Sequence, residues 1–224
     1  MLFDMNSTFM FGEDRFSEGE DFYQTYLSSG GSRLSPVEVT RFIRTCYDGM
    51  SRDFEDPARY DDFPSLLEGF RFYSNPPEDE LPFLERTFAL HELGSVPEFS
   101  AVILGRLSQT HRLALVANIW APKQSWLAEF KRAGIEKAFH HTVFSSDFRS
   151  IKPSPVLYQE ALRGVGARPQ EALFIGDSLR YDIEGAKKVG ITTVWVTSQP
   201  IPHPSVDHVM STIQELETYA AQHL

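Results

Sequence analysis

The sequence predicts an α/β protein, a parallel sheet with helices on both faces, carrying a block of helices inserted after its first strand. Three observations predict it. The C-terminal part alternates short apolar runs with amphipathic stretches, the rhythm of strand–helix–strand units whose strands are buried on both sides. Residues 13–95 read instead as helices. The charge divides at the same place: residues 1–95 hold 19 acidic residues against 8 arginines and no lysine, whereas residues 96–224 hold 12 against 13. A chain of 224 residues accommodates one α/β domain of ordinary size with an insertion. With 42% hydrophobic and 23% charged residues it can bury a core, which excludes wholesale disorder and coiled coil.

Met1-Leu2-Phe3 is a short apolar run ending in Asp4, expected to be a strand of the same sheet although it lies far from the others in sequence. The core domain is then residues 1–12 and 96–224, and residues 13–95 form a helical cap domain with Phe11-Gly12-Glu13 as its hinge. Within the cap, Ser35-Pro36-Val37-Glu38 is a capping box with proline at the first helical position. Val39, Phe42, Ile43, Cys46, Tyr47 and Met50 follow at helical spacing. Leu66, Leu67, Phe70 and Tyr73 predict a second helix and Leu81, Leu84, Phe88 and His91 a third, separated by Asn75-Pro76-Pro77. The aromatic cluster Phe9, Phe11, Phe16, Phe22, Tyr23 and Tyr26 reads as cap packing, with Phe9 and Phe11 placed to face a leaving group. In the core, strands are expected at 113–117, 141–145, 172–175, 192–197 and 207–210. Between and after them come helices with Trp126, Leu127, Phe130 and Ala133 on one face, from Pro155 to Val165, around Ile183, Ala186 and Val189, and around Leu216.

Several function classes drop out. No stretch approaches the roughly 18 to 20 unbroken apolar residues of a membrane span, and Asp4 interrupts the N-terminus where a secretory signal needs Lys or Arg, so a cytoplasmic protein with no membrane partner is expected. A single cysteine, Cys46, excludes an intramolecular disulfide and a multi-thiolate zinc site, and reads as core packing. The net charge of −10 with no basic face argues against nucleic acid as a partner. Ser28 to Ser32 lacks the lysine and spacing of a phosphate loop. His140 and His141 point to opposite faces of a strand and cannot share an ion. Arg149 and Arg180 read as solvent-facing salt bridges.

The polar residues that matter stand at strand ends. Asp4 closes the first apolar run, Asn118 follows 113–117, Asp177 follows 172–176, and Lys152-Pro153 comes after a fourth run. Ligands of open parallel sheets bind outside the carboxyl ends of the strands. Two carboxylates converging there repel unless a cation neutralises them, and hard oxygen donors suit Mg2+. Lys152 supplies a point charge for a phosphoryl oxygen or for keeping a nucleophilic carboxylate ionised. Asp182, near the start of the next helix, can pair with Lys152 or with the metal's water shell.

On these residues the chain resembles the haloacid dehalogenase superfamily of hydrolases, over essentially its whole length. The opening motif appears as Asp4-Met5-Asn6-Ser7-Thr8 and the second as Ala117-Asn118. The lysine motif appears as Lys152-Pro153-Ser154-Pro155, and the acidic motif as Gly176-Asp177-Ser178-Leu179-Arg180-Tyr181-Asp182, followed by Gly185-Ala186 and Gly190. The resemblance implies a Rossmann-like core, and Asp4 as a nucleophile that forms an aspartyl-phosphate later hydrolysed by water. It implies Mg2+ held by Asp4, Asp177 and the backbone carbonyl of Asn6, and Lys152 holding the phosphoryl group with Asp182 orienting it. Asn6 joins Asp4 and Lys152 in the catalytic set, Ala117 and Asn118 join Lys152 around the phosphate, and Thr8, Ser178 and Asp182 stand one step behind. The cap closes over the site and selects the leaving group.

Two positions depart from the family pattern. Asn6 stands where a phosphatase has its acid/base Asp, and losing proton transfer costs roughly 10² to 10⁴ in rate. Ala117 replaces a phosphate-binding Ser or Thr hydroxyl, a loss of about 1.5 to 3 kcal/mol. Three readings follow: a slow Mg2+-dependent phosphatase of a small phosphomonoester, a metal- and phospho-ligand-binding protein that has lost most turnover, and a 2-haloacid dehalogenase, against which Asp177 stands. The partner expected is a small phosphorylated or otherwise anionic metabolite. A lid this acidic disfavours polyphosphates and favours a small monoester with a neutral or cationic end.

Overall fold

The computed structural model describes residues 1–223. Six strands form one parallel sheet: β1 (Leu2–Phe3), β2 (Ala114–Ala117), β3 (His141–Phe144), β4 (Leu173–Gly176), β5 (Thr192–Val196) and β6 (His208–Met210), in the order β3-β2-β1-β4-β5-β6. The shortest strand is at the centre. Leu2 pairs with Ala114 on one side and Phe174 on the other. The chain winds outward from β1 in one direction and then in the other, so the carboxyl ends of β1, β2 and β4 bracket the crevice where such sheets bind ligands.

Alternate residues of each strand enter different apolar clusters. Leu2, Ala114, Val116 and Phe174 pack with Leu157, Tyr158 and Ala161 on one face, while Phe3, Leu115 and Ile175 pack on the other. This is the two-sided burial that the unbroken apolar runs call for. The flanking helices are α5 (Glu98–Leu107), α6 (Gln124–Arg132), α7 (Pro155–Val165), α8 (Glu184–Lys188) and α9 (Glu215–His223), with a wide π-helical turn, Leu179–Ile183, leading into α8. On α6, Trp126 and Phe130 are buried but Leu127 is exposed, so its apolar face is narrower than the sequence suggests.

Between β1 and β2 the chain builds α1 (Phe22–Ser28), α2 (Pro36–Glu55), α3 (Leu66–Gly69, extended by a π-helical turn through Ser74) and α4 (Leu81–Glu92), which pack on one another. The capping box of α2 is present, with Ser35 Oγ accepting from Glu38 N and Glu38 accepting from Ser35 N. The two connecting segments run side by side: Phe11 and Ser95 exchange backbone hydrogen bonds, and Asp14 N and Arg15 N donate to Glu92 and His91 carbonyls. Phe16, Phe22 and Phe88 pack inside the block. Phe9 does not. It is fully buried against Phe130 and Phe139 of the core, and Phe11 sits against Phe99, so neither faces a leaving group. Both follow a tight knot in which Thr8, Phe9 and Met10 N–H groups all donate to the Met5 carbonyl, turning these rings away from the crevice. Helices α1 and α5 have no counterpart in the sequence reading. Among the described residues no helix is long and apolar enough to cross a membrane.

Candidate active site

Asp4 continues β1 by one residue, its N–H donating to Ile175 O at 2.8 Å, and so stands at the sheet's carboxyl edge. The knot that follows brings Thr8 Oγ1 to donate to Asp4 Oδ2 at 2.9 Å. On the other oxygen, Lys152 Nζ donates to Asp4 Oδ1 at 2.5 Å and also to Asp182 Oδ1 at 2.7 Å. Lys152 is only 2% exposed. Burial pulls its ammonium pKa down, but the charges of Asp182 and Asp4 and their hydrogen bonds outweigh it and hold the pKa above the ordinary lysine value. One of its three protons has no protein acceptor among these contacts and is available to a ligand.

Asp182 is built into this pair. Its second oxygen accepts from Ser178 N at 2.9 Å, while Ser178 Oγ caps the turn by accepting from Tyr181 N, and Tyr158 OH donates to the Tyr181 carbonyl behind it. Gly176 makes room: a Cβ there would lie 2.6 Å from Asp182 Cγ. Next to it, Asp177 is fixed through its backbone, with Trp195 Nε1 donating to its carbonyl at 2.7 Å. Burial and the charges of Asp4 and Asp182 push the Asp177 carboxyl up to about 8. Asp4, Asp177 and Asp182 each offer an oxygen within 4.8 Å of the others.

That cluster tests the fit of a dication. Its donors are all hard oxygens, burial and then the neighbouring negative charges drive Asp177 upward, and the buried Asn6 Oδ1 beside it has no hydrogen-bond partner. Asp182 is engaged on both oxygens by Lys152 and Ser178, and Asp4 by Lys152 and Thr8.

The structure separates the expected phosphate-binding residues. Asn118 is turned to Lys152: its Oδ1 accepts from Lys152 N at 2.8 Å and its Nδ2 donates to Lys152 O at 3.4 Å, so it fixes the lysine loop. Ala117 is fully buried at the end of β2 and does not border the cavity. Asn118 nonetheless lines the cavity, whereas the Ala117 methyl packs inward.

A cavity of about 420 Å³ opens from this rim and runs beneath the helical block. Its far end holds residues that the sequence reading did not single out for function, Glu13, Asp14, Tyr47, Phe54, Glu92 and Trp120, while Glu55 borders it beside Tyr181. Glu92 closes α4 and accepts from Trp120 N and Ala121 N at 2.6 and 2.9 Å. Burial, aided by Asp14, outweighs those two donors and pushes its carboxyl up to about 8. Asp14, at φ +55°, is pushed up to about 6 by desolvation and by Glu13. Among the described residues Lys152 is the only basic side chain on the cavity wall. The one signal in the sequence was the surplus of acids before residue 95, which gave no position.

The comparisons with known proteins agree with this architecture. Over 104 residues the chain is 36% identical to the glyceraldehyde 3-phosphate phosphatase of Pyrococcus abyssi, covering 46% of this chain and 42% of that one. It is 29% identical over 153 residues to the phosphoserine phosphatase of Thermus thermophilus, covering 55% and 60%. The matched region thus spans about half the length of these curated relatives. A crystal structure of a HAD phosphatase from Thermococcus onnurineus superposes with a TM-score of 0.63 at 25% identity, covering 98% of this chain and 96% of that one. The haloacid dehalogenase-like hydrolase family matches residues 75–196, more than half of the sequence, and it is to this family that the chain belongs.

Proposed function

We propose that the protein is a Mg2+-dependent phosphatase of small phosphomonoesters that works through an aspartyl-phosphate on Asp4, with residues 13–95 as the cap over the site. The observation that carries this is the single buried ammonium of Lys152 shared between Asp4 and Asp182, with Asp177 beside them. Asp4 and Asp177, with the Asn6 carbonyl that the family likeness implies, would hold the ion. Bound there it supplies positive charge to the phosphoryl oxygens.

Lys152 holds Asp4 through Oδ1 and donates a further hydrogen bond to a phosphoryl oxygen. An Asp4 oxygen attacks phosphorus, the bond from phosphorus to the leaving oxygen breaks, and the leaving alkoxide takes its proton from water, since the Asn6 amide cannot donate one usefully. Water then attacks the aspartyl-phosphate, releasing phosphate and regenerating Asp4. Thr8 and Asp182 hold the two partners in place throughout. Ala117 adds no hydroxyl, so the lysine carries more of the phosphate binding.

Turnover of a generic aryl phosphate should be slow and Mg2+-dependent. Asn6→Asp should raise it about a hundredfold, the lower end of what a positioned acid contributes, and Asp4→Ala should abolish it in either background. Fast native turnover left unchanged by Asn6→Asp would show that the amide is no impairment. The missing acid favours a second reading, in which phosphate and metal bind but little is hydrolysed; calorimetric binding of inorganic phosphate without measurable turnover would establish that reading instead.

The far end of the cavity bears on the leaving group. Glu13, Asp14 and Glu92 with the rings of Tyr47, Phe54 and Trp120 suit a neutral or ammonium-bearing alcohol and repel further anionic groups. A panel of monoesters should rank amine-bearing and neutral substrates above bisphosphates, and the reverse order would overturn this part.

A further inference from the structure

The helical block touches the rim at every loop that follows a strand bearing site residues outside β1. Glu92 holds the loop after Asn118 through Trp120 N and Ala121 N. Residues 60–68 grip the loop that delivers Lys152. Ile151 N donates to Tyr60 O at 2.9 Å, and Phe63 N donates to Arg149 O at 3.1 Å. Ser154 Oγ donates to Asp61, while Arg149 spans Asp62 at 2.8 Å and Glu68 at 2.9 Å. Just before them, Glu55 grips the turn that carries Asp182. Arg180 donates to its carboxylate at 2.8 Å and to its carbonyl at 3.0 Å, and Tyr181 OH donates to its other oxygen at 3.1 Å. One continuous stretch of chain, 54–68, therefore anchors two loops whose side chains meet 30 residues apart in sequence as the Lys152–Asp182 pair.

We propose that residues 54–68 act as a strap that sets the register of Lys152 against Asp182, with Glu55, Asp62 and Glu68 as positioning residues that act through Arg180 and Arg149. While the block is down, both loops share one anchor and the lysine is aligned on Asp4. When it lifts, the anchor is lost from both loops at once, and Lys152 and Asp182 are free to drift relative to each other. The inference rests on the rim being the catalytic centre. Its physical ground is a mismatch between number and strength: these bridges are exposed, with Arg149 at 59% and Arg180 at 42%, so each adds little to stability. Yet they converge on the two loops that must agree for the lysine to be shared. A closing element that completes a constellation changes turnover more than it changes folding.

The test is the double variant Arg149→Met/Arg180→Met against Arg149→Lys/Arg180→Lys. In the aryl phosphate assay the Met pair should lose about tenfold in kcat, inside the span typical of coupling between sites, with KM less affected and the urea midpoint unchanged. The Lys pair should recover most of the loss. Acrylamide quenching supplies a second readout, because Trp120 lies against Tyr47 and Phe54 of the block at 5.6 and 5.9 Å, and Trp120→Phe identifies its signal. Quenching should rise in the Met pair, and amide exchange at Ile151 and Asp182 should quicken. If kcat stays within about twofold of native, or falls only in step with the urea midpoint, the strap is overturned. Should the native protein show no Asp4-dependent turnover, the phosphatase reading fails by itself, and the strap is decided by quenching and exchange: unchanged values sink it and raised values uphold it.

Discussion

At the sheet end of the cavity a buried lysine lies within 2.7 Å of two carboxylates, each also held by a hydroxyl or an N–H, so the acids there share a counter-charge, although burial and their mutual repulsion still push Asp177 up to about 8 and Asp182 up to about 6. At the far end Asp14, Glu13 and Glu92 share the wall with no basic side chain, and two of the three carboxyls are driven toward the protonated state. The contrast assigns the two ends different tasks. A network with its own counter-charge is fixed before any ligand arrives, as electrostatic preorganisation requires. An acidic wall without a counter-charge of its own depends on what occupies it, which under the proposed reading bears on the leaving group.

The largest expected effect breaks the sheet end. Lys152→Met leaves Asp4 and Asp182 facing each other in the interior, and removing one member of a buried charged set costs about 3–5 kcal/mol. Urea unfolding measures it, and saturating Mg2+ should return part of the loss, since an ion that binds only the folded state stabilises it. A variant as stable as native would mean that the lysine is not what balances those acids. Next comes Gly176→Ala, whose Cβ would crowd Asp182 Cγ; overpacking of this kind costs about 1–3 kcal/mol. It should also weaken Mg2+ activation, because the neighbouring Asp177 must shift with it.

A pH profile sharpens the comparison at the far end. Glu92 holds its proton in the folded state up to about pH 8 but releases it near 4.5 when unfolded, so the folded state binds more protons in between. Stability should therefore decline as pH rises from about 4.5 to 8, with a slope of at most about 1.4 kcal/mol per pH unit from this group. Asp14 adds the same sign between 3.8 and about 6. Glu92→Gln should flatten the thermal-melting profile over this range. An unaltered slope would place the titration elsewhere.

Most of the sheet end was legible because its signals are local. An apolar run that stops at Asp4 or Asp177 marks a strand's carboxyl edge, and parallel topology then gathers such edges together. Helix α2 was legible for a similar reason, its cap and its periodic face both lying within 20 residues. Helix α5 was not, because Phe99 and Val102 are apolar yet exposed, which blurs the face formed by Ile103, Leu104 and Leu107. Helix α1 is short, and its aromatics carry a packing signal with no clear period. The hold of Asn118 on the lysine loop was not legible because its partner is 34 residues away in sequence. The far-end acids were hidden for the opposite reason: among so many carboxylates, only three-dimensional placement distinguishes Glu92 and Asp14 from a solvated face.

One feature of the sheet bears on how the molecule comes to exist. The two-residue strand that leads to Asp4 is made well before its flanking neighbours, residues 114–115 and 174–175. The place of Asp4 between them is therefore unavailable until residues 174–175 have been synthesised. A nascent or truncated copy ending before β4 carries Asp4 but not Asp177 or Asp182, and so cannot assemble the acidic cluster.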